Sequence, residues 1–354
     1  MKTIFLSFSL NNRSLTDFFL TLSNKLAEKF HVVIITDKIE PHPFKVSSRI
    51  TIYKWPSARP TKHRDFVFLF KKVREHKPVT MISMYGAVNI FLIVGYIMRV
   101  KNRIAWYHTI SSQIVTTNAL KWRKKLFYRL ATKFFANSIC SKADLHEYFK
   151  IPEHKVTVAY NAIRTGTRSR FTDINKIVFA GRLHPSKGID TLISAMPEVL
   201  KVAPDLKLVI IGGILSGNVI KQYIAQAAVV GVSTNIDFRG YLPSEAVRSE
   251  FAEAYVTIVP SLFEAFGFVV IESFSVMTPV IGSNTSGIAE IIRDGKDGFL
   301  FEPGNEKDLA EKIIHLLQHP KLRETFSANC FERLQDKFEI EAVTDVLFAE
   351  ISSL

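Results

Sequence analysis

Short apolar runs rich in β-branched residues alternate along this chain with amphipathic stretches of helical period. That alternation points to a parallel α/β architecture, in which each strand feeds a crossover helix. The strand-like runs are 3–8, 32–36, 79–83, 103–107, 134–137 and 156–159, then 176–180, 207–211, 235–239, 256–259 and 279–282. They read as two open, mostly parallel sheets. With 354 residues, 47% of them apolar and 22% charged, the chain can build two cores of ordinary size. Ser14-Leu-Thr-Asp17 and Asn305-Glu-Lys-Asp308 each place an oxygen-bearing cap three residues before a carboxylate, which marks helix starts. The stretch 160–174, with Gly166 and no apolar period, reads as the connection between two domains.

Charge divides the chain as sharply as pattern does. Residues 1–164 carry 28 basic and 9 acidic side chains, a net of +19, whereas the remainder nets −6, giving +13 for the whole. A positive half of this size is expected to meet an anionic surface, lipid or nucleic acid. No nucleic-acid-binding module is present in the sequence, so nucleic acid is not expected as a partner. Two stretches concentrate the cations: 121–133, and 59–64 continuing into 66–74. Both mix Lys and Arg with aromatics, as membrane-surface segments do. Trp122, Leu126, Phe127 and Leu130 equally trace an ordinary core-facing stripe, and at this point both readings stand. Two cysteines, Cys140 and Cys330, build neither a disulfide framework nor a metal knuckle, which suits a reducing compartment. The N-terminus reads as a strand rather than a signal peptide, and the run 87–98 is about half of the ~20 residues a spanning helix needs. Cytoplasm is the expected compartment.

In doubly wound sheets ligands bind beyond the carboxyl ends of the strands, so the loops there carry the chemistry. After the run 176–180 comes Gly181-Arg182-Leu-His-Pro-Ser-Lys187-Gly188, whose two cations suit a diphosphate: a planar fork from Arg182 and a point charge from Lys187. After 256–259 comes Pro260-Ser-Leu-Phe-Glu264-Ala-Phe266-Gly267, followed by a helical pattern that carries Glu272 in an apolar run. A carboxylate there is costly without a partner. If that run is helical, the two glutamates lie ~12 Å apart, too far for an acid/base dyad, and suit hydroxyl binding. A Gly/Ser turn, 282–287, then leads to Glu290.

Taken in order, these loops and the later Asp294-Gly-Lys-Asp-Gly298 segment closely resemble the family 4 retaining glycosyltransferases, which have the GT-B fold of two facing Rossmann-like domains. The resemblance implies that Glu264 contacts the donor sugar, Glu272 the ribose, and Arg182 and Lys187 the diphosphate. It also implies that the Phe266 and Gly267 amides hold the sugar, and that Arg239, Tyr241 and Leu242 lie against the base. In the first half, Arg103-Ile-Ala-Trp-Tyr-His108 matches the family's strand-end histidine, making His108 a catalytic candidate beside Glu264. Phe134-Phe-Ala-Asn137-Ser138 and Val158-Ala-Tyr-Asn161 match two further family stretches. The sequence departs from the family in its first loop, Ser9-Leu-Asn-Asn-Arg13-Ser14, which lacks the usual Gly pair, and at Thr278, where a Gly is usual.

The expected domains are 1–165 on the acceptor side, 166–337 for the nucleotide sugar, and a helix over 338–354 that crosses back to the first domain. The expected activity is metal-independent retaining transfer of a hexose-type sugar from a nucleotide sugar, UDP-linked by family frequency, to a glycan or lipid-linked acceptor. No cofactor or metal is expected. With the basic half, this suggests bacterial envelope polysaccharide assembly by a protein peripheral on the inner face of the plasma membrane. Two other classes stay open here: a catalytically silent nucleotide-sugar-binding subunit, and an epimerase acting on UDP-N-acetylglucosamine.

Overall fold

The computed structural model describes residues 1–11, 14–40, 45–58, 62–113, 117–166, 175–213 and 217–354. They form two compact units, Met1–Ala162 with Ile340–Leu354, and Ile163–Glu339. In the first unit the chain runs β1 (Thr3–Ser7), α1 (Ser14–Leu26), β2 (His31–Thr36), β3 (Ile50–Lys54), α2 (His63–His76), β4 (Thr80–Met84) and α3 (Val88–Ile97). It continues with β5 (Asn102–Tyr107), α4 (Asn118–Tyr128), β6 (Lys133–Ala136), α5 (Ile139–Phe149) and β7 (Val156–Val158). The second unit holds β8 (Lys176–Ala180), α6 (Ile189–Val202), β9 (Lys207–Ile211), α7 (Gly217–Val229), β10 (Ile236–Gly240), α8 (Ser244–Glu253) and β11 (Val256–Val259). After these come α9 (Phe268–Phe274), β12 (Val280–Ser283), α10 (Ser286–Ile291), β13 (Gly298–Phe301), α11 (Glu306–Gln318) and α12 (Pro320–Lys337). A last helix, α13 (Ile340–Ser353), belongs to the first unit.

The strand orders are β3-β2-β1-β4-β5-β6-β7 and β10-β9-β8-β11-β12-β13, with parallel pairing throughout the two ladders. These are two Rossmann-like α/β domains. Each central strand is buried on both faces, which is why the sequence shows continuous apolar runs rather than alternation. On β1, Ile4 and Leu6 join Phe18 and Phe19 of α1, while Phe5 joins Leu69 and Val73 of α2 on the opposite face. On β8, Ile177 and Phe179 pack against α6, and Val178 faces the other layer.

Two strands lie outside the runs read from the sequence, and both are edges. Ile50–Lys54 is only half-buried along its length, and Gly298–Phe301 has four residues. The first buries too little, and the second, though mostly buried, is too short, to leave a clear pattern. Of the presumed connection, residues 167–174 lie outside the described set, and 160–166 is packed: Ala162 and Ile163 are buried, and the Gly166 N–H donates to Ser275 O at 2.9 Å. At the start of α11, Asn305 accepts from the Lys307 and Asp308 amides, while the Asp308 carboxylate turns back to the Glu302 amide at 2.7 Å.

Helix α13 is fixed by both packing and charge. Ile340, Leu347 and Ile351 are buried in the same cluster as Phe18, Leu22 and Leu26. Its three carboxylates all find lysines of the unit: Glu341 and Asp345 flank Lys25, and Glu350 pairs with Lys133. Burial works against a charge on Lys25, yet Asp345 and Glu341 prevail and hold its ammonium above the ordinary range. Replacing Leu347 by Ala should cost about 2–4 kcal/mol, since a buried leucine loses both transfer energy and packing. Urea unfolding followed by fluorescence reads this, and a loss below about 1 kcal/mol would remove Leu347 from the core.

Candidate functional site

Where strand order reverses in an open parallel sheet, neighbouring loops diverge and leave a crevice at the strands' carboxyl ends. In the second unit the reversal lies between β8 and β11. The loop after β8 carries Arg182 and Lys187, and the loop after β11 carries Glu264, Phe266 and Gly267. Across the reversal the Lys187 ammonium pairs with the Glu264 carboxylate, their side chains only 16% and 17% exposed. Ser261 Oγ approaches the same carboxylate oxygen at 3.5 Å.

Backbone contacts hold the loops at that distance. The Leu262 N–H donates to Ser186 O at 2.9 Å. Gly188 sits at φ +63°, and a Cβ there would lie 1.9 Å from Pro260 O, so only glycine lets the loops pack this closely. The third loop joins them: Thr285 Oγ1 donates to Leu262 O at 3.2 Å and the Gly287 N–H to Glu264 O at 3.0 Å. A Cβ on Gly287 would meet Phe266 Cα at 2.4 Å.

Helix α9 begins at Phe268, with Gly267 as its N-cap at φ +93°. Glu272 is half-buried on its second turn. The Phe266 ring is core, packed against Phe268 and Phe338, so only its backbone is available to a ligand. Arg182 is exposed. The Arg239 guanidinium is held by Asp237 and Glu250, and Glu250 also pairs with Lys176 at 2.6 Å. The turn therefore presents Tyr241, 67% exposed and close to Gly213, while Leu242 packs half-buried beneath. Sequence reasoning passed over the Gly212-Gly213 turn after β9, whose signal is a glycine pair directly behind a strand. Gly212 N–H donates to Gly240 O at 2.8 Å, and Leu183 N–H to Gly213 O at 3.3 Å.

Thr278, at the position of the family's usual glycine, is buried and donates through Oγ1 to Phe251 O at 2.7 Å. The left-handed turn falls instead on Met277, at φ +65°.

In the first unit the reversal lies between β1 and β4. A cavity of about 400 Å³ opens there, lined by Ser7, Ser9, Asp37, Trp55 and Tyr85 among others. A smaller one of about 180 Å³ adjoins it beside Asn11 and Thr16. Ser9 Oγ donates to Asp37 Oδ1, and Trp55 Nε1 to Ser7 Oγ at 3.3 Å. Asp37, Trp55 and Tyr85 were not singled out from sequence. Asp37 directly follows a strand run, whereas Trp55 follows the edge strand that left no clear pattern. Of the glycine-free first loop, residues 12–13 lie outside the described set.

His108 follows β5 at this edge. Its ring stacks on Tyr85 at 5.0 Å and Trp106 at 5.9 Å, with Phe19 edge-on. The residue is partly exposed, yet Nε2 is sealed from water without a hydrogen-bond partner. Burial pushes the imidazole down to about 3, so it is neutral at ordinary pH and offers a hydrogen bond but no positive charge. The loop behind it is anchored by Asp144, which accepts from Tyr107 Oη at 2.6 Å and from the Ser111 N–H at 3.1 Å. Asn137 and Asn161 are buried; the Asn137 N–H donates to Tyr107 O at 3.2 Å and its Oδ1 accepts from Ser141 Oγ at 2.8 Å, while Asn161 Oδ1 has no hydrogen-bond partner.

The two basic stretches part ways. On α2, Phe66, Phe68 and Phe70 pack against the core, and Lys72 sits over the Tyr53 ring at 4.0 Å; residues 59–61 lie outside the described set. On α4 the stripe that matched a core face divides: Trp122 is 69% exposed and Leu126 44%, whereas Phe127 and Leu130 are half-buried and Leu130 packs on the core. No helix among the described residues is long and apolar enough to cross a membrane.

The depressed His108 pKa fixes a pH dependence. An unfolded histidine protonates near 6.5 and the folded one near 3, so the unfolded state binds the extra proton between those values. The stability from a neutral His108 is fully present above 6.5 and lost as pH falls toward 3. Relative to His108→Phe, the wild-type unfolding free energy should drop by up to ~1.4 kcal/mol per pH unit between 6 and 4. Parallel pH curves for the two proteins would show that the ring nitrogen is hydrated.

Comparisons with known proteins place this geometry. The profile for glycosyltransferase family 4 matches residues 17–166, and that for glycosyl transferases group 1 matches 167–333. An uncharacterized glycosyltransferase of Methanocaldococcus jannaschii is 30% identical over 234 residues, covering 65% of this chain and 64% of its own. A phosphatidyl-myo-inositol mannosyltransferase of Mycobacterium leprae is 26% identical over 234 residues, covering 64% of this chain and 60% of its own. Both matches span under two thirds of the relatives' length. The structure of Anabaena HepE in complex with UDP superposes with a TM-score of 0.81 over 100% of both chains at 18% identity, which shows the shared fold. Matched end to end from 17 to 333 by the two profiles, the chain belongs to the family 4 glycosyltransferases.

Proposed function

We propose that this protein is a retaining glycosyltransferase that takes a hexose-type sugar from a UDP-sugar and needs no metal. The Lys187–Glu264 pair at the reversal of the second sheet carries the reading. It sets a cation for the diphosphate against a carboxylate for the sugar hydroxyls within one ion pair. Arg182, exposed on the same loop, adds a planar fork for phosphate. Glu272 serves the ribose and Tyr241 the base. HepE, of the same fold, is bound to UDP, which favours that nucleotide.

In the transfer the bond between C1 and the phosphate oxygen breaks while C1 bonds to the acceptor oxygen on the same face. The acceptor's proton passes to the leaving phosphate. Charge grows on the diphosphate, and Lys187 and Arg182 stabilise it where other enzymes use a metal. His108, being neutral, contributes a hydrogen bond rather than charge. The acceptor, a glycan or lipid-linked glycan, is held in the first unit by Asp37, Ser9, Trp55 and Tyr85, a set suited to hydroxyls and sugar faces. The exposed Trp122 and Leu126 among the cations of α4 support docking on an anionic membrane at the cytoplasmic face, and a place in bacterial envelope polysaccharide assembly.

With UDP-sugar and acceptor, Glu264→Ala should lower kcat by about 10²-fold or more, as loss of a transition-state contact does. Glu272→Ala should instead raise donor KM by about tenfold, the size of one hydrogen bond to a charged group, and excess EDTA should leave the rate unchanged. Equal, mild effects of the two substitutions, or a rate abolished by EDTA and restored by Mg²⁺ or Mn²⁺, would refute the assignment. In flotation, the protein should rise with phosphatidylglycerol vesicles but not phosphatidylcholine, and lose binding as salt increases. Failure to float with either vesicle removes the membrane from the proposal.

A further inference from the structure

The first unit has a second concave site at the opposite end of its sheet from His108. A cavity of about 320 Å³ opens where α4 and α5 end and β6 begins, over the rings of Tyr128, Phe134 and Phe149. Four cations line it: Lys125, Arg129, Lys150 and Lys155. Among the described residues, no carboxylate does. Of the acids nearest in sequence, Glu153 pairs with Lys142 at 3.8 Å, Glu147 is exposed on α5 outside the cavity lining, and Asp144 is held by Tyr107 and Ser111. Among the described residues none of the four cations has an ion pair of its own.

Helix ends account for part of this clustering. Arg129 caps the C-terminus of α4 and Lys150 that of α5. Each helix end offers roughly half a negative charge, about one unit in all against four positive side chains. The remaining positive charge, about three units, repels itself around a small concavity, and an anion entering it relieves that repulsion. The floor is apolar and aromatic, so the site suits an anion with an organic body more than a bare ion. Trp122, Lys125, Leu126 and Arg129 also follow one another at helical spacings of three and four, on one face of α4. That places the exposed Trp122 and Leu126 next to the cations that line the cavity.

We propose that this cavity binds a phosphate ester, its phosphate held by Lys125, Arg129, Lys150 and Lys155 and its organic part against the aromatic floor. The site is separate from the transfer chemistry and does not rest on it: it lies about a strand's length, ~15 Å, from the edge that carries His108.

Calorimetry with glycerol 1-phosphate and co-sedimentation with phosphatidylglycerol vesicles test the site on the full chain. The cavity variant is Lys150→Gln with Lys155→Gln. The charge-matched control is Lys71→Gln with Arg74→Gln, two exposed residues of α2. The cavity variant should bind the phosphate probe at least tenfold more weakly while the control stays within twofold. Both should keep the wild-type melting temperature and donor turnover, which separates a failure here from a failure of the transferase reading. Vesicle capture that depends on the cavity assigns the phosphate to a lipid headgroup, and cavity-dependent binding of glycerol 1-phosphate alone assigns it to a soluble ester. Equal weakening in cavity and control variants would reduce the feature to diffuse surface charge and overturn the proposal, as would a cavity that neither probe senses.

Discussion

The reversal of strand order between β8 and β11 brings together side chains that are 77 positions apart in the chain, and the candidate donor site depends on that meeting. The ion pair itself is a poor organiser of the loops, because the attraction between two largely buried charges is offset by the cost of taking both out of water. Backbone packing does the organising. At Gly188 the β8 loop passes beneath the Pro260 carbonyl with no room for a Cβ, and Gly287 closes on the Phe266 backbone in the same way. Any larger residue at Gly188 would add the left-handed penalty, about 1–2 kcal/mol, to a direct clash. Lys187 and Glu264 are thus brought together by the packing of glycines rather than by their own attraction.

The first unit repeats the topology and inverts the chemistry. Its reversal, between β1 and β4, opens on hydroxyls, a carboxylate and aromatic rings, and among the described residues no cation lines that cavity. His108 at the same edge is kept neutral by burial. One architecture therefore offers a cationic edge suited to a nucleotide diphosphate and an edge of hydroxyls, rings and one carboxylate suited to an acceptor's hydroxyls.

The parts of this that could be read from sequence share a physical property: they are strongly determined locally. Buried central strands must be apolar on both faces, and loops such as Gly181–Gly188 and Pro260–Gly267 hold their chemistry within eight residues. Features set by distant partners could not be read. Edge strand β3 is half-buried, so Trp55 behind it had no frame to be placed in. Arg239 looked available until α8 brought Glu250 to it. The stripe on α4 had the period of a core face, and only the packing shows that nothing covers Trp122. Asp37 and the Gly212-Gly213 pair were recoverable omissions, since both occupy positions after a strand run where chemistry was already being sought.

Net charge alone would assign an anionic donor to the basic half of the chain, and the structure argues against that assignment. The loops suited to diphosphate belong to the half that nets −6, whereas the cavity at the reversal in the basic half has no cation among the described residues. Local geometry, two cations on one glycine-bounded loop, outweighs the charge of the whole domain, because screening limits distant charges to within about 10 Å. The excess of the first half must then answer to something else. Part of it is internal: the three carboxylates of α13 are taken up by Lys25 and Lys133, which fixes the returning helix on this unit. Those pairs leave untouched the cations at the ends of α4 and α5, which gather around a cavity rather than spreading over the surface. Spread evenly, such charge would serve only solubility. Concentrated on a concave site beside exposed Trp122 and Leu126, it specifies an anionic partner different from the sugar donor.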